Sequence, residues 1–368
     1  MAKQLKHELG RDAVRRITTA LQQVNPLIDS EGFENDAIAR LDALELKERV
    51  HQIIRVLHQH LPDNYLETIT ILKNIKEVWN YGDPDDPYSG FAAWPVIDYI
   101  GCYGLDEPEL SLDALKELTE MFTAEFAIRP FLEHHYNLTF CHLHAWCDSE
   151  RWHLRRLVSE GTRSRLPWAT KVASLIRDPE AVINLLDRLV DDPNPTVRRS
   201  VANNINDISK DHPELAIATC LRWQKKLSDD RDWIIRHGMR TLVKQGHSDV
   251  FPLLGFTPNP VVTIEAFRVS EQEVVIGDDL EFELELLSHQ EDQHFVLDYA
   301  IDYQKANGSV SKKVFKLRVC QMYMGERLVI RKSHSFNFIS TRKHYPGEHK
   351  MRILVNGEEV YSHTIFLK

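Results

Sequence analysis

Apolar residues recur at intervals of three and four along the chain as far as about Leu254, which is the spacing of one face of an α-helix. One clear run consists of Val50, Ile53, Ile54, Leu57 and Leu61. The one long irregular interval covers residues 81–89, which include a glycine and two prolines, residue types that disfavour helices. The pattern therefore predicts an all-α region with a single long break.

Beyond Gly255 the hydrophobic period changes to two. Within residues 280–286, apolar side chains alternate with glutamates, as in a strand with one buried and one solvated face. The dipeptide Asn356-Gly357 stands between two further runs and is typical of a two-residue hairpin turn. About seven such runs in roughly 110 residues predict an all-β immunoglobulin-like sandwich.

The change of period predicts a multidomain chain. The proline-bearing segment Thr257–Pro260 is expected to be a stiff linker. We therefore predict a helical domain over residues 1–256 and a β-sandwich domain over residues 261–368. A length of 368 residues agrees with two domains.

The helical region contains a weak internal repeat. Three short segments align so that each carries an arginine at the same place, namely Arg156, Arg199 and Arg236. The spacings of 43 and 37 residues are typical of HEAT-like helix pairs. Such pairs stack into a curved solenoid, an alpha-alpha superhelix with a concave binding surface. A non-repetitive helical bundle remains the alternative.

Composition narrows the environment and the partners. No stretch approaches the roughly 20 apolar residues of a membrane span. The five cysteines form no C-x-x-C pair, which favours reduced thiols. We therefore expect a soluble cytoplasmic protein, a monomer by default. The net charge of -10 argues against indiscriminate nucleic-acid binding.

Local charge differs from the net charge. The segment Arg151–Lys171 holds six cations against Glu160 alone, a surplus of five. The cations are Arg151, Arg155, Arg156, Arg163, Arg165 and Lys171. Such a basic strip could attract a polyanion to one surface of an acidic body.

Glu160 stands at the end of a predicted helix that stops at Gly161, where glycine commonly caps. A carboxylate there faces the negative end of the helix dipole, which is unfavourable. This local cost marks Glu160 as a candidate functional residue. The alternative is simple neutralisation by Arg156 or Arg163.

Two further candidates lie on either side of Glu160. Glu125 is flanked by apolar residues, which suggests partial burial, and a buried carboxylate needs a partner. Arg129, four residues later, could supply that partner as a structural pair. Trp168 follows Pro167 at an apparent helix start, where its indole could pack in the core or stand at a cleft as a platform.

The most informative helix is predicted to start at Pro195 and run toward Lys210. Its apolar stripe lies nearly opposite a polar stripe that consists of Arg199, Asn203 and Asp207. Arg199 and Asp207 are about 12 Å apart along the axis, so they are not an obvious ion pair. The stripe could bind a phosphate at one end and a cation at the other, or be an ordinary solvated face.

Nothing in the sequence predicts a metal or a cofactor. The segment Cys141–Cys147 holds four potential zinc ligands, but donors packed on two helical turns point in divergent directions. Phosphate-binding glycine motifs do not occur either. We expect no metal site and no nucleotide cofactor.

Three segments together resemble the AlkC group of bacterial DNA alkylation repair glycosylases. They are residues 123–132 (TAEFAIRPFL), 152–168 (WHLRRLVSEGTRSRLPW) and 195–207 (PTVRRSVANNIND). Further support comes from Trp94-Pro95, from Tyr103–Leu105 and from the immunoglobulin-like extension found in some members. The resemblance covers nearly the whole chain.

The resemblance implies that HEAT-like repeats wrap duplex DNA and that the enzyme excises 3-methylcytosine, 1-methyladenine or 3-methyladenine in base excision repair. It places Glu125, Glu160 and Asp207 near the deoxyribose, with Trp168 packed against it. It assigns phosphate contacts to Arg156, Arg163 and Arg199; Arg165 and Arg236 are further DNA-binding candidates. The family is understood to act without the base-flipping pocket that glycosylases generally use.

The implied chemistry is consistent with these residue types. Glycosidic cleavage passes through an oxocarbenium-like sugar, which a carboxylate stabilises in a dry, preorganised site. A cationic methylated base is already a good leaving group, so no general acid is required. The basic stretches Arg331–His334 and Thr341–His344 could be loops that clamp the DNA from a second side, or merely solvated loops.

Two other classes of protein remain possible on the sequence. Solenoids often serve as binding modules, so the chain could be a noncatalytic HEAT-repeat protein that binds DNA structures. Its arginines would then matter and its carboxylates would be dispensable. A protein–protein scaffold is the third possibility.

Overall fold

The computed structural model describes residues 4–226, 228–339 and 342–368. By internal packing these residues divide into two compact units. The first contains the described part of residues 1–211 together with Asp229–Ile234. The second contains the described parts of residues 212–228 and 235–368.

The part of the chain with the helical hydrophobic period is all-α. The helices are α1 (Arg11–Val24), α2 (Ser30–Ile38), α3 (Leu46–His60), α4 (Tyr65–Val78), α5 (Trp94–Tyr103), α6 (Pro108–Leu118), α7 (Arg129–His134), α8 (Tyr136–Trp146), α9 (Trp152–Gly161), α10 (Ala173–Arg177), α11 (Glu180–Leu189), α12 (Pro195–Ile208), α13 (Pro213–Gln224), α14 (Asp229–Gly238), α15 (Arg240–Gln245) and α16 (Val250–Leu253). Short 3₁₀ turns cover Leu5–Leu9, Leu41–Ala43 and Ser89–Ala93. The predicted break at residues 81–89 falls between α4 and α5.

Two successive helix pairs repeat the same hydrogen bonds. Arg155 of α9 and Arg198 of α12 each donate, at 2.7 and 3.0 Å, to the carbonyl oxygens six and five residues earlier in the chain. Each then pairs with a carboxylate further along, Arg155 with Asp192 at 2.5 Å and Arg198 with Asp230 at 2.9 Å. The equivalence of residues 43 positions apart confirms the predicted helical repeat.

The β-strands are β1 (Val262–Val269), β2 (Glu273–Val274), β3 (Asp279–Ser288), β4 (Gln293–Gln304), β5 (Val310–Met322), β6 (Arg327–Ser335), β7 (Gly347–Val355) and β8 (Glu358–Leu367). They form a three-stranded sheet in the order β1-β3-β6 and a five-stranded sheet in the order β2-β8-β7-β4-β5. The predicted sandwich is confirmed. Leu280, Phe282, Leu284 and Leu286 of β3 are buried, and Asn356-Gly357 closes the β7–β8 hairpin with both residues at positive φ.

The predicted linker Thr257–Pro260 separates α16 from β1, whereas the compact units divide after Asp211. Within the second unit this linker is bonded to the sandwich, because the backbone N–H of Thr257 donates to the carbonyl of His294 at 2.7 Å. The domain limits 1–256 and 261–368 therefore remain a prediction. None of the helices in the described part of the chain is both long and apolar enough to cross a membrane.

One expectation for the sandwich is wrong. Residues Arg331–His334 are not a basic loop but part of β6, where the alternation of the strand buries His334 between two tyrosine hydroxyls, at 2.8 and 2.7 Å. In the second predicted loop, Thr341 lies outside the described residues. The guanidinium of Arg342 packs 4.2 Å from the ring centroid of Tyr303.

Candidate functional site

Glu160 and Asp207 are brought together by one guanidinium. Glu160 lies in the last turn of α9 and Asp207 in the last turn of α12, helices that pack against each other. Arg163, just past α9, donates from Nη1 to Glu160 Oε1 at 2.7 Å and from Nε to Asp207 Oδ2 at 2.8 Å. All three side chains are at least nine-tenths buried. The structure therefore joins two of the predicted carboxylates through a predicted arginine.

The remaining carboxylate oxygens are also bonded. Ser200 donates its hydroxyl to Glu160 Oε2 at 2.6 Å, and Lys210 donates from Nζ to Asp207 Oδ1 at 2.8 Å. Burial acts to lower the pKa of Arg163, but the charges and hydrogen bonds of the two carboxylates outweigh it and raise that pKa. The result is a fixed ionic network in a largely dry environment.

Glu125 has a different partner from the one expected. The sequence suggested Arg129, but that guanidinium donates to three backbone carbonyls instead, because α7 starts only at Arg129 and Glu125 is not on the same helix. Arg156 of α9 pairs with Glu125 Oε2 at 3.0 Å, and the hydroxyl of Thr123 donates to the same oxygen at 2.7 Å. Burial raises the pKa of Glu125, Arg156 opposes that rise, and the charge of Glu160 adds to it.

A cavity of about 230 Å³ opens beside these groups. Its lining includes Glu125, Glu160, Arg163 and Trp168, with two phenylalanines, Phe91 and Phe122. Asp207 does not belong to the lining and lies behind Arg163. Two of the three predicted carboxylates thus face one cavity beside the predicted indole.

Trp168 is an exposed platform, not a core residue. Its side chain is 49% exposed and its backbone is left-handed, with φ of 65°. The helix start expected after Pro167 does not form, since a left-handed residue cannot begin a right-handed helix, and α10 starts only at Ala173. The cleft interpretation of this tryptophan is therefore the one that fits.

The arginines of the predicted basic strip are paired with carboxylates, most of which come from elsewhere in the chain. The pairs are Arg151–Glu120, Arg155–Asp192, Arg156–Glu125, Arg163–Glu160, Arg163–Asp207 and Arg165–Asp211. The surplus of five charges counted along the segment therefore overstates the local positive field, because most partners are remote in sequence. The ion pairs fix these arginines in the fold.

Arg199 and Arg236 lie outside the segment Arg151–Lys171, on later helices. Arg199 is exposed on α12, and no ion pair among the residues that the structure describes includes it. Arg236 is exposed on α14 and belongs to the second compact unit. Of the arginines predicted to contact DNA, Arg199 has its guanidinium available at the surface of the first unit.

Several residues of the site carried no recognisable signal in the sequence. Thr123, Ser200 and Lys210 each donate a hydrogen bond to a candidate carboxylate. Hydroxyl and ammonium donors are too common in sequences to be singled out. Trp94 stacks on Trp168 with ring centroids 6.2 Å apart and planes at 18°, a contact across 74 residues that no local pattern predicts.

The described residues contain no group of three or more histidine, cysteine, aspartate or glutamate side chains arranged to hold a metal ion. In the segment with four possible zinc ligands, Cys147 is buried and His142 bonds Glu109 at 2.9 Å. Glu125 and Glu160 bring carboxylates to the cavity, and their hydrogen bonds fix the position of these carboxylates. Two carboxylates facing one small cavity can stabilise a positive charge that develops there.

Fold and site together define a class of protein, a helical-repeat protein with an immunoglobulin-like domain and a carboxylate-lined cavity. Residues 263–368 match the family model described as the C-terminal Ig-like domain of uncharacterised protein YhaZ. The chain is 37% identical over 315 residues to the uncharacterized protein YhaZ of Bacillus subtilis (strain 168), covering 86% of this chain and 85% of that protein.

A solved structure resembles the chain over its full length. It is Pseudomonas fluorescens alkylpurine DNA glycosylase AlkC bound to DNA containing an abasic site analog, with 35% identity, complete coverage of both chains and a TM-score of 0.92. The chain belongs to the AlkC family.

Proposed function

We propose that the chain is a DNA glycosylase that hydrolyses the N-glycosidic bond of cationic N-methylated bases in duplex DNA. The expected substrates are 3-methylcytosine, 1-methyladenine and 3-methyladenine. The observation that carries the proposal is the pair of carboxylates, Glu125 and Glu160, in one cavity beside the exposed indole of Trp168. The AlkC of Pseudomonas fluorescens, an alkylpurine DNA glycosylase solved with DNA, supports the assignment.

The proposed mechanism relies on charge already present in the substrate. A methylated cationic base leaves without a proton, so the positive charge moves to the sugar as the glycosidic bond breaks. Glu125 and Glu160 stabilise that oxocarbenium-like sugar, and one of them orients the attacking water. Because their hydrogen bonds hold them in place before reaction, little reorganisation is needed.

Trp168 packs against the deoxyribose in this proposal, so the lesion is read through its sugar and backbone and no base-flipping pocket is needed. The place of Asp207 beside the sugar rests on the family resemblance, since in the structure it lies behind Arg163. Among the arginines, Arg199 is the proposed phosphate contact, because its guanidinium is exposed. Arg156, Arg163 and Arg165 are each paired with a carboxylate. To bind a phosphate, each would have to contact it in addition to that carboxylate or break the ion pair.

The second candidate function is a noncatalytic reader of DNA structure. It is favoured by one observation: each oxygen of Glu160 and Asp207 already has a partner within the fold, as purely structural carboxylates would. The two functions share a DNA partner. They differ in whether a base is released.

The test is time-resolved release of bases from methylated duplex DNA. Wild type is compared with Glu125→Gln, Glu160→Gln and Asp207→Asn, after circular dichroism shows that each is folded. We expect release of 3-methylcytosine or 3-methyladenine, slowed at least about a hundredfold by Glu125→Gln and Glu160→Gln.

The matched control is Asp211→Asn. Asp211 is four residues after Asp207, pairs with Arg165 and does not line the cavity. This variant should retain the wild-type rate. Binding without any release by wild type would favour the noncatalytic reader, and full rates in folded Glu125→Gln and Glu160→Gln would refute the carboxylate mechanism.

A further inference from the structure

The backbone at Trp168 is held from outside the carboxylate cavity. Its left-handed conformation, with φ of 65°, is uncommon for a residue other than glycine and persists only where the surroundings hold it. Lys47 of α3 donates from Nζ to the carbonyl oxygen of Trp168 at 2.7 Å, across 121 residues of sequence. This hydrogen bond ties the main chain that carries the exposed indole to α3, a helix far from it in sequence.

The indole itself rests on a second tryptophan. Trp94 is 1% exposed, and its ring is nearly parallel to that of Trp168, at 18° and 6.2 Å between centroids. Phe126 also stacks on Trp94, with ring planes at 23° and ring centroids 4.8 Å apart. Trp94 thus links the exposed platform to the aromatic core of the unit.

Trp94 is oriented by a carboxylate. Its indole N–H donates to Asp98 Oδ2 at 2.7 Å, one helical turn away on α5. The other oxygen, Oδ1, is inaccessible to solvent and has no hydrogen-bond partner among the described residues. An indole needs only a neutral acceptor, so a carboxylate with one unsatisfied oxygen is a costly choice at this place.

Asp98 and Lys47 lie at the same pocket. Lys47 is the cation whose field acts on this carboxylate, and both residues line a second pocket of about 170 Å³. That pocket shares Phe126 and Trp168 with the carboxylate cavity, whereas Lys47 and Asp98 line only the second pocket. From this second pocket Lys47 holds the main chain of Trp168, and Asp98 orients the ring of Trp94 on which the Trp168 indole lies.

We propose that Lys47 and Asp98 are positioning residues for base excision, which hold the Trp168 indole against the sugar of the damaged nucleotide. Lys47 fixes the main chain of Trp168, and Asp98 fixes Trp94, on which the indole rests. The inference rests on the proposed glycosylase function. Its consequence is specific: loss of either residue slows the chemical step and leaves affinity for undamaged duplex almost unchanged.

The kinetic test uses the full chain and duplex DNA that contains one 3-methylcytosine. Single-turnover release at saturating enzyme is measured for wild type, Lys47→Met and Asp98→Ala, with affinity for the undamaged duplex measured in parallel. We expect each variant to release base about tenfold or more slowly, since small displacements of a positioned group have large effects on rate. Affinity should change by less than about threefold.

Conservative variants separate positioning from general damage to the fold. Lys47→Arg keeps a donor for the Trp168 carbonyl, and Asp98→Asn keeps an acceptor for the Trp94 indole, so both should recover most of the rate. The matched control is Lys73→Met, which removes a lysine that pairs with Asp113 and Glu117 and does not line either pocket. It should behave as wild type.

A spectroscopic measurement tests the positioning without any activity. The chain has seven tryptophans, and in protein labelled with 5-fluorotryptophan the ¹⁹F resonance of Trp168 is assigned from its loss in Trp168→Phe. We expect one sharp resonance in wild type and a shifted, broadened or split one in Lys47→Met and Asp98→Ala. If either of these two does not fold, Lys47→Gln or Asp98→Leu, which likewise lacks an acceptor for the Trp94 indole, is compared in its place.

The possible results are distinguishable. Slowed release with an altered Trp168 resonance supports the inference. An unchanged resonance in folded Lys47→Met and Asp98→Ala overturns it, as does an unchanged release rate. If wild type releases no base, the proposed function fails, and the ¹⁹F spectra still decide whether Lys47 and Asp98 hold the indole.

Discussion

Arg163 donates its Nε proton to Asp207 at 2.8 Å, although the two residues lie 44 positions apart in the chain. The bond crosses from the segment after α9 to the last turn of α12. Both side chains are buried, so neither charge can be solvated if the bond is lost. This pair therefore makes the geometry of the site part of the stability of the fold.

The first prediction concerns that buried pair. Arg163→Met should lower the free energy of unfolding by about 3–5 kcal/mol, because it leaves Glu160 and Asp207 buried without their shared cation. The measurement is urea unfolding followed by circular dichroism. The control is Arg165→Met, which breaks a more exposed pair with Asp211 and should cost less than about 1 kcal/mol. Equal stabilities for the two variants would contradict the prediction.

The second prediction is a pH profile. Arg156 opposes the rise in the pKa of Glu125, so Arg156→Met should raise that pKa further. Since the ionised carboxylate is the form that stabilises a cation, activity is lost as pH falls through the pKa. The acidic limb of kcat/KM for base release should therefore move to higher pH in Arg156→Met.

The control for the pH profile is Arg151→Met. It removes a guanidinium that pairs with Glu120 and leaves the contacts of Glu125 intact. Its acidic limb should coincide with that of wild type. A limb that stayed in place in Arg156→Met would show that Glu125 does not control the profile.

The third prediction links Asp98 to stability. Burial raises the pKa of Asp98 to about 7, with the Trp94 hydrogen bond and Lys47 acting against it. Between the ordinary value near 4 and about 7, the folded chain holds a proton that the unfolded chain has lost, so stability falls as pH rises through this window. Asp98→Asn should remove this dependence.

The measurement for Asp98 is urea unfolding of wild type and Asp98→Asn at pH 5 and pH 7.5. Relative to wild type, the variant should gain roughly 2 kcal/mol at the higher pH. The comparison with wild type cancels the contribution of other titrating groups, such as Asp298, whose pKa burial raises to about 6. A constant difference across pH would be inconsistent with a raised Asp98 pKa.

The fourth prediction compares equivalent positions in two repeats. Arg155→Met leaves Asp192 buried and without its guanidinium, whereas Arg198→Met frees Asp230, whose side chain is 59% exposed. We expect losses of about 3 kcal/mol and less than about 1 kcal/mol respectively. Thermal unfolding of both variants measures the difference. A larger loss in Arg198→Met would mean that burial of the acidic partner does not decide the cost.

Short-range patterns predicted the elements and singled out two carboxylates that line one cavity. Helix α12 starts at Pro195 as expected, with the side chain of Asn194 capping the N–H of Thr196, and the alternation at residues 280–286 became a half-buried strand. Glu125 and Glu160 were found because each stands where a carboxylate has a local cost. These inferences needed only neighbouring residues.

Pairings across the fold could not be predicted in the same way. The i+4 rule favoured Arg129 as the partner of Glu125 and assumed one continuous helix, but α7 starts at Arg129 itself. Counting charges from 151 to 171 predicted a basic strip because most of its acidic partners lie 30 to 50 residues away. Lys47 likewise donates to the carbonyl of Trp168 across 121 residues, a contact that no local pattern predicts.

The division of the site between α9 and α12 has a practical meaning for experiments on the family. Glu160 and Asp207 come from successive helix pairs of the repeat. The distance between them is therefore set by how α12 packs against α9. A substitution far from the cavity that changes the packing of these helices can abolish activity while the chain stays helical. Loss of activity alone is therefore poor evidence that a residue meets the substrate, and a map of the reaction centre needs a structural readout for every inactive variant.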